Sequence, residues 1–172
     1  MAIKGGAFGR LIQNKILRPI RLRSILKIIN KLSSGSILDV GCMDDYLIKR
    51  LPERFDYYGI DDEPLCRHDR IVKEKFEDYV KNKKFDIVLS TEVLEHLANP
   101  VEAIKNFKKI SKKYILISVP NEPFFSIFRL FVPAREHLWT VFPKALELQL
   151  GKPLYETRAC LHRTYIALWK LK

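Results

Sequence analysis

The sequence predicts an α/β domain built on a mostly parallel sheet with helices on both faces. Two observations carry this expectation. Short, near-continuous apolar runs at 36–40, 57–60, 85–90 and 114–119 alternate with stretches of helical periodicity. The first run, Ser-Ile-Leu-Asp-Val, closes on a Gly-Cys turn, which is how the first strand and nucleotide loop of a Rossmann-type domain begin. Strands apolar along their whole length belong to parallel sheets buried on both sides. A chain of 172 residues is one domain by the usual prior and long enough for a real core.

The elements follow in order. Residues 1–35 carry Lys4, Arg10, Lys15, Arg18, Arg21, Arg23, Lys27 and Lys31 and no acidic residue. From Pro19, which suits a first helical position, Leu22, Ile25, Leu26, Ile29 and Leu32 recur at helical spacing. The spacing predicts a cover helix with a basic outer face, ended by Ser33-Ser34-Gly35. A helix is expected over 45–51, a second strand over 57–60 ending in Asp61-Asp62, a short third strand over 70–73, and a helix through 76–80. The strand 85–90 precedes the longest helix, 92–111, with Val93, Leu94, Leu97, Val101, Ile104 and Lys108 on its inner side and a turn or break at Pro100. After the strand 114–119, a helix is expected over 141–150. Residues 154–161 and 165–171 are expected to pair as a terminal hairpin around His162-Arg163.

Composition limits the function classes. Apolar residues are 47% and charged residues 30% of the chain, so it is globular rather than disordered. Its three cysteines, Cys42, Cys66 and Cys160, form no metal-like pair, and an odd number argues against a disulfide framework. A reducing, cytoplasmic setting fits, and the start lacks the apolar core of a signal peptide. The most apolar region, 114–132, is interrupted by Pro120, Asn121, Glu122 and Pro123, so no transmembrane segment is expected. The net charge of +11 favours anionic partners, namely RNA, acidic lipid surfaces or phosphorylated small molecules. A Lys- and Ile-rich composition accounts for it equally well.

Asp61 lies about 20 residues beyond the loop, the spacing at which an acidic side chain accepts ribose hydroxyls. Alone this is a weak signal. Taken together, Ile-Leu-Asp-Val-Gly-Cys (37–42), Tyr-Gly-Ile-Asp (58–61), Phe-Asp-Ile-Val-Leu-Ser-Thr-Glu-Val-Leu-Glu-His-Leu (85–97) and Ile-Leu-Ile-Ser-Val-Pro-Asn (115–121) make the chain resemble the class I S-adenosylmethionine-dependent methyltransferases. The branch it resembles most includes the ubiquinone-biosynthesis O-methyltransferases.

That resemblance implies a Rossmann-like seven-stranded sheet whose last strand is antiparallel. It implies one domain over 1–172, with a basic helical cover (1–35), a cofactor-binding core (36–120) and a small acceptor-side segment with the hairpin (121–172). It places Asp39, Gly41, Cys42 and Met43 at the cofactor's methionine end and Asp61 at its ribose. Asp62 and Glu63 flank its adenine side, the Phe76-Glu77 region borders the adenine, and Ser90 and Thr91 face its sulfonium. The family loop reads Gly-x-Gly-x-Gly, whereas this chain has Gly41-Cys42-Met43-Asp44-Asp45. Asp45 can take the left-handed backbone that glycine allows, while Met43 adds bulk beside the cofactor.

On a helix, Glu92, Glu95 and His96 would share one side and form a half-site for Mg²⁺, Mn²⁺, Zn²⁺ or Fe²⁺. Exposed glutamates at a helix start also need no function. The resemblance adds that some quinone and small-RNA 2′-O-methyltransferases use Glu-x-x-Glu-His with a later histidine to hold a metal; here that residue is His137. Without metal, His96 or His137 would be the general base. The apolar residues of 124–131, edged by Arg129 and Arg135, read as a core helix or as an entry for an apolar or membrane-borne acceptor. Three functions remain open: O-methylation of a small molecule, RNA methylation, or a non-catalytic binding protein with a degenerate loop.

Overall fold

A computed structural model of the chain describes residues 13–79, 83–121 and 138–171. A π-type turn, Gln13–Leu17, leads into α1 (Arg18–Ile29). Strands β1 (Gly35–Val40), β2 (Phe55–Asp61), β3 (Ile71–Lys73) and β4 (Phe85–Thr91) precede α2 (Pro100–Ile110). Then come β5 (Ser111–Pro120), α3 (Pro143–Leu150), β6 (Tyr155–Ala159) and β7 (Thr164–Lys170). Among the described residues, proline occupies the first turn of each of the three α-helices, where its missing N–H has no intrahelical partner to lose.

The seven strands form one sheet in the order β3-β2-β1-β4-β5-β7-β6. Strands β1 to β5 pair in parallel, and β7 runs antiparallel to both β5 and β6. The sheet is therefore the mostly parallel, seven-stranded one expected, with the last strand reversed. Alternation along each strand divides the core into two layers. Ile37, Ile87, Leu89, Leu116, Ile166 and Leu168 pack with Leu22, Ile25, Ile28 and Ile29 of α1. Leu38, Val40, Val88, Ile115, Ile117 and Val119 pack on the opposite face with Ala103, Ile104 and Phe107 of α2 and Leu146 of α3.

Three helix expectations are corrected. The segment 45–51 and the described part of 76–80, which ends at residue 79, each form only a single 3₁₀ turn, Ile48–Arg50 and Phe76–Asp78. Seven residues running into Pro52 give too few hydrogen bonds to offset helix nucleation. The long helix begins at Pro100 rather than Glu92. Asn99, extended at φ −137°, accepts the Glu102 N–H at 3.0 Å through its side chain and sets the start. Residue 99 precedes a proline and is held out of the helical region for that reason. Val101 and Lys108 consequently lie outward; Val101 is 44% exposed. The α1 face is also less basic than its sequence suggests, because Arg21 is buried and Arg18 turns onto the loop after β1. Lys15, Arg23, Lys27 and Lys31 remain outside.

Candidate active site

The strand order reverses between β1 and β4, and a cleft of about 310 Å³ opens at the C-terminal ends of the strands beside that point. Val40, Gly41 and Ile60 form its floor. Val93, His96 and Leu97, from the turns after β4, form one wall. Asp61, Asp62, Glu74 and Glu77 bring four carboxylates to its lining, against Lys75 and His96 among the described residues. In a chain of net charge +11, this local excess of acid favours a cationic ligand rich in hydroxyl donors.

Gly41 is required by its surroundings. Its φ is +71°, and a Cβ there would lie 2.3 Å from Val93 Cγ2. The second left-handed residue of the loop is Met43 (φ 64°), and Asp45 is not among the residues of positive φ. The turn that glycine would have made is thus carried by Met43 itself. Two hydrogen bonds hold it: the Met43 N–H donates to Asp61 Oδ2 at 2.8 Å, and its carbonyl accepts from Leu65 N–H at 2.7 Å. Asp61 Oδ1 accepts from the Glu63 N–H at 2.9 Å. Both carboxylate oxygens are fixed by backbone donors, and each keeps capacity to accept a further hydrogen bond.

Asp39 lies beneath the cleft on the α1 side, 3% exposed, and does not line it. The Tyr57 hydroxyl donates to its Oδ2 at 2.8 Å, and Oδ1 has no partner among the described residues. Burial outweighs the tyrosine bond and Arg18, and raises the Asp39 pKa to about 7. Cys42 is buried against Gly59, where an added Cβ would come within 2.9 Å of its sulfur, and burial pushes its thiol up. Ser90 is fully buried at the end of β4, and neither it nor Thr91 lines the cleft.

The proposed metal trio is not assembled. Residues 92–99 make turns instead of a helix, and Glu92 has φ 56°. Its carboxylate faces α1, with Oε2 3.6 Å from Arg21 Nη1, and burial holds its pKa above the ordinary value despite Arg21. Glu95 is 1% exposed, whereas His96 is exposed on the cleft wall. Among the described residues, no three His, Cys, Asp or Glu side chains are grouped to hold a metal. His137, the segment 124–131, Arg129 and Arg135 lie outside the described residues. Sequence reasoning missed Arg18, Arg21 and Tyr57. Only the proline after Arg18 marks its place, and nothing in sequence links it to position 44.

A doubly wound sheet of this order, with a glycine closing β1 and an acid closing β2 on one cleft, defines a Rossmann-like cofactor-binding domain. More narrowly, the chain belongs to the methyltransferase-domain family, whose model matches residues 13–155. It is 30% identical over 159 residues to the ubiquinone biosynthesis O-methyltransferase of Rickettsia bellii, covering 82% of this chain and 65% of that one. It is 27% identical over 150 residues to that of Actinobacillus pleuropneumoniae, covering 75% of this chain and 64% of the relative. The chain thus spans just under two thirds of the length of these relatives. Among solved structures, the N-methyltransferase NodS of Bradyrhizobium japonicum in complex with S-adenosyl-L-homocysteine superposes with a TM-score of 0.69. The two are 17% identical, over 94% of this chain and 90% of NodS. Among the described residues, no helix is long and apolar enough to cross a membrane.

Proposed function

We propose that the chain is an S-adenosylmethionine-dependent methyltransferase that methylates a hydroxyl of a small molecule. The observation that carries this reading is the acidic cleft at the β1/β4 switch, with Asp61 held at its edge by two backbone donors. The residues fit the cofactor. Asp61 accepts the ribose hydroxyls, Asp62 and Glu77 flank the adenine beside Phe76, and Gly41 gives the close floor. Asp39, Cys42 and Met43 back the methionine end, with Ser90 and Thr91 below it. When bound, the cofactor supplies an electrophilic methyl group, and the chain's contribution is to position the acceptor in line and to remove its proton.

We assign proton removal to His96, the described histidine that the cleft exposes. Glu92, turned to Arg21, is not placed beside His96 to share a metal with it. The two O-methyltransferase relatives support transfer to oxygen. The inward turn of Arg18 and Arg21 thins the basic face of α1 and favours a small acceptor over RNA. Screening phenolic and quinol-type acceptors with methyl-labelled cofactor tests the reading. His96→Asn should lower turnover by about 100-fold while leaving cofactor affinity unchanged; full activity in that variant would remove His96 from the reaction. RNA as acceptor would instead show binding that falls steeply with salt.

A further inference from the structure

The loop after β1 lacks both supports such a loop ordinarily has, a glycine at its second left-handed residue and a full helix behind it. Beyond the bonds of Met43 to Asp61 and Leu65, a side chain of α1 supports the loop. From α1, the Arg18 guanidinium reaches across and makes a two-pronged contact: Nη1 to Asp44 Oδ2 at 2.9 Å and Nη2 to Asp44 Oδ1 at 2.8 Å. Nη2 also donates to the Cys42 carbonyl at 3.3 Å, so the fork grips the loop on both sides of Met43. Asp44 Oδ1 accepts in addition from the Tyr46 N–H at 2.9 Å. The Tyr46 ring is flanked by both Arg18, 5.6 Å from its centroid, and Arg50, 3.7 Å away. Arg50 in turn donates to the Tyr46 carbonyl at 3.0 Å. The side chains of Arg18 and Asp44 are only 12% and 27% exposed, so water competes weakly for the pair.

We propose that Arg18 is a positioning residue that locks the cofactor loop in its binding shape through Asp44, and so couples α1 to the cofactor cleft. The inference rests on the cofactor reading above. Met43 is the residue whose N–H orients Asp61, and it sits between the two residues, Cys42 and Asp44, that Arg18 grips. Releasing Asp44 lets Met43 relax from its left-handed conformation, which is unfavourable for a side chain of this size, and Asp61 then loses one of its two backbone donors. Coupling of this kind is reciprocal, so a ligand that needs the ordered loop must also steady α1.

The test is calorimetric titration of the full chain with S-adenosylhomocysteine, in parallel with melting of the ligand-free protein and amide exchange of α1. Arg18→Gln and Asp44→Asn should each weaken binding by about tenfold, and the double variant should lose no more than either alone, as expected for two halves of one interaction. Ligand should slow amide exchange in α1 of the wild-type chain and leave it unchanged in Asp44→Asn. Wild-type affinity in both single variants would overturn the proposal. So would a loss of affinity matched in both variants by an equivalent drop in ligand-free melting temperature, because the pair would then be supporting the fold rather than the loop. Absence of binding in the wild-type chain would instead overturn the cofactor reading itself.

Discussion

Met43 shows how a single backbone conformation can survive the loss of the residue that best suits it. Its left-handed φ of 64° is sustained by Asp61 and Leu65, and the residue is not among those lining the cleft. Met43→Gly relieves the strain of a side chain at positive φ and adds unfolded-state freedom, two effects of about 1 kcal/mol each that oppose one another. The expected outcome is a change in unfolding free energy below about 1 kcal/mol and an S-adenosylhomocysteine affinity within about twofold of wild type, measured by denaturant titration and calorimetry. Asp39 is the opposite case, a residue that costs stability where it stands. Its folded pKa of about 7 exceeds the ordinary 3.8, so between these values the folded chain holds a proton that the unfolded chain has released. Stability from this group is therefore full below about pH 4 and falls as pH rises toward 7, by up to about 1.4 kcal/mol per pH unit. Asp39→Asn should flatten that slope in melts taken from pH 4 to 8; an unchanged slope would refute the assignment.

At the scale of elements, Asp86 joins β4 to β1 and acts in the other direction. It accepts the Ser36 N–H and hydroxyl, both at 2.9 Å, and pairs with Lys113 at 3.0 Å. The Ser36 backbone bond is the main cause that lowers its pKa to about 2. Its contribution is present above about pH 4 and is lost as pH falls through 2, so Asp86→Ala should cost about 1–3 kcal/mol at pH 7 and much less near pH 2. The strands were legible because apolar runs, closed by Gly41 after β1 and by Asp61 at the end of β2, state them locally. The turns at 92–99 were not, because Val93, Leu94 and Leu97 repeat like a helix while their burial comes from packing over the sheet. Asn99-Pro100 was the visible signal for the true start, and Asn99→Ala should lower stability by about 1 kcal/mol in thermal melts. The helix that would have aligned Glu92, Glu95 and His96 as metal ligands is replaced by the turns at 92–99. Arg18 with Asp44, and Tyr57 with Asp39, join residues 26 and 18 positions apart through tertiary packing, which no local pattern announces.

For the molecule as a whole, the sheet order, the two apolar layers and the acid closing β2 form one arrangement. The strands converge their ends on a cleft whose sign is opposite to that of the chain. The β2 acid was visible from its spacing after Gly41, and the family resemblance implied Asp62 and Glu77; Glu74 was not foreseen, because only the fold brings it to the cleft. The central claim, that this cleft binds S-adenosylmethionine, is tested most directly by titrating the wild-type chain and Asp61→Ala with S-adenosylhomocysteine in a calorimeter. The account predicts one site per chain in the micromolar range for wild type, and loss of binding by about 10-fold or more in Asp61→Ala. No heat from wild type at millimolar ligand, or equal affinity in the two proteins, would contradict it.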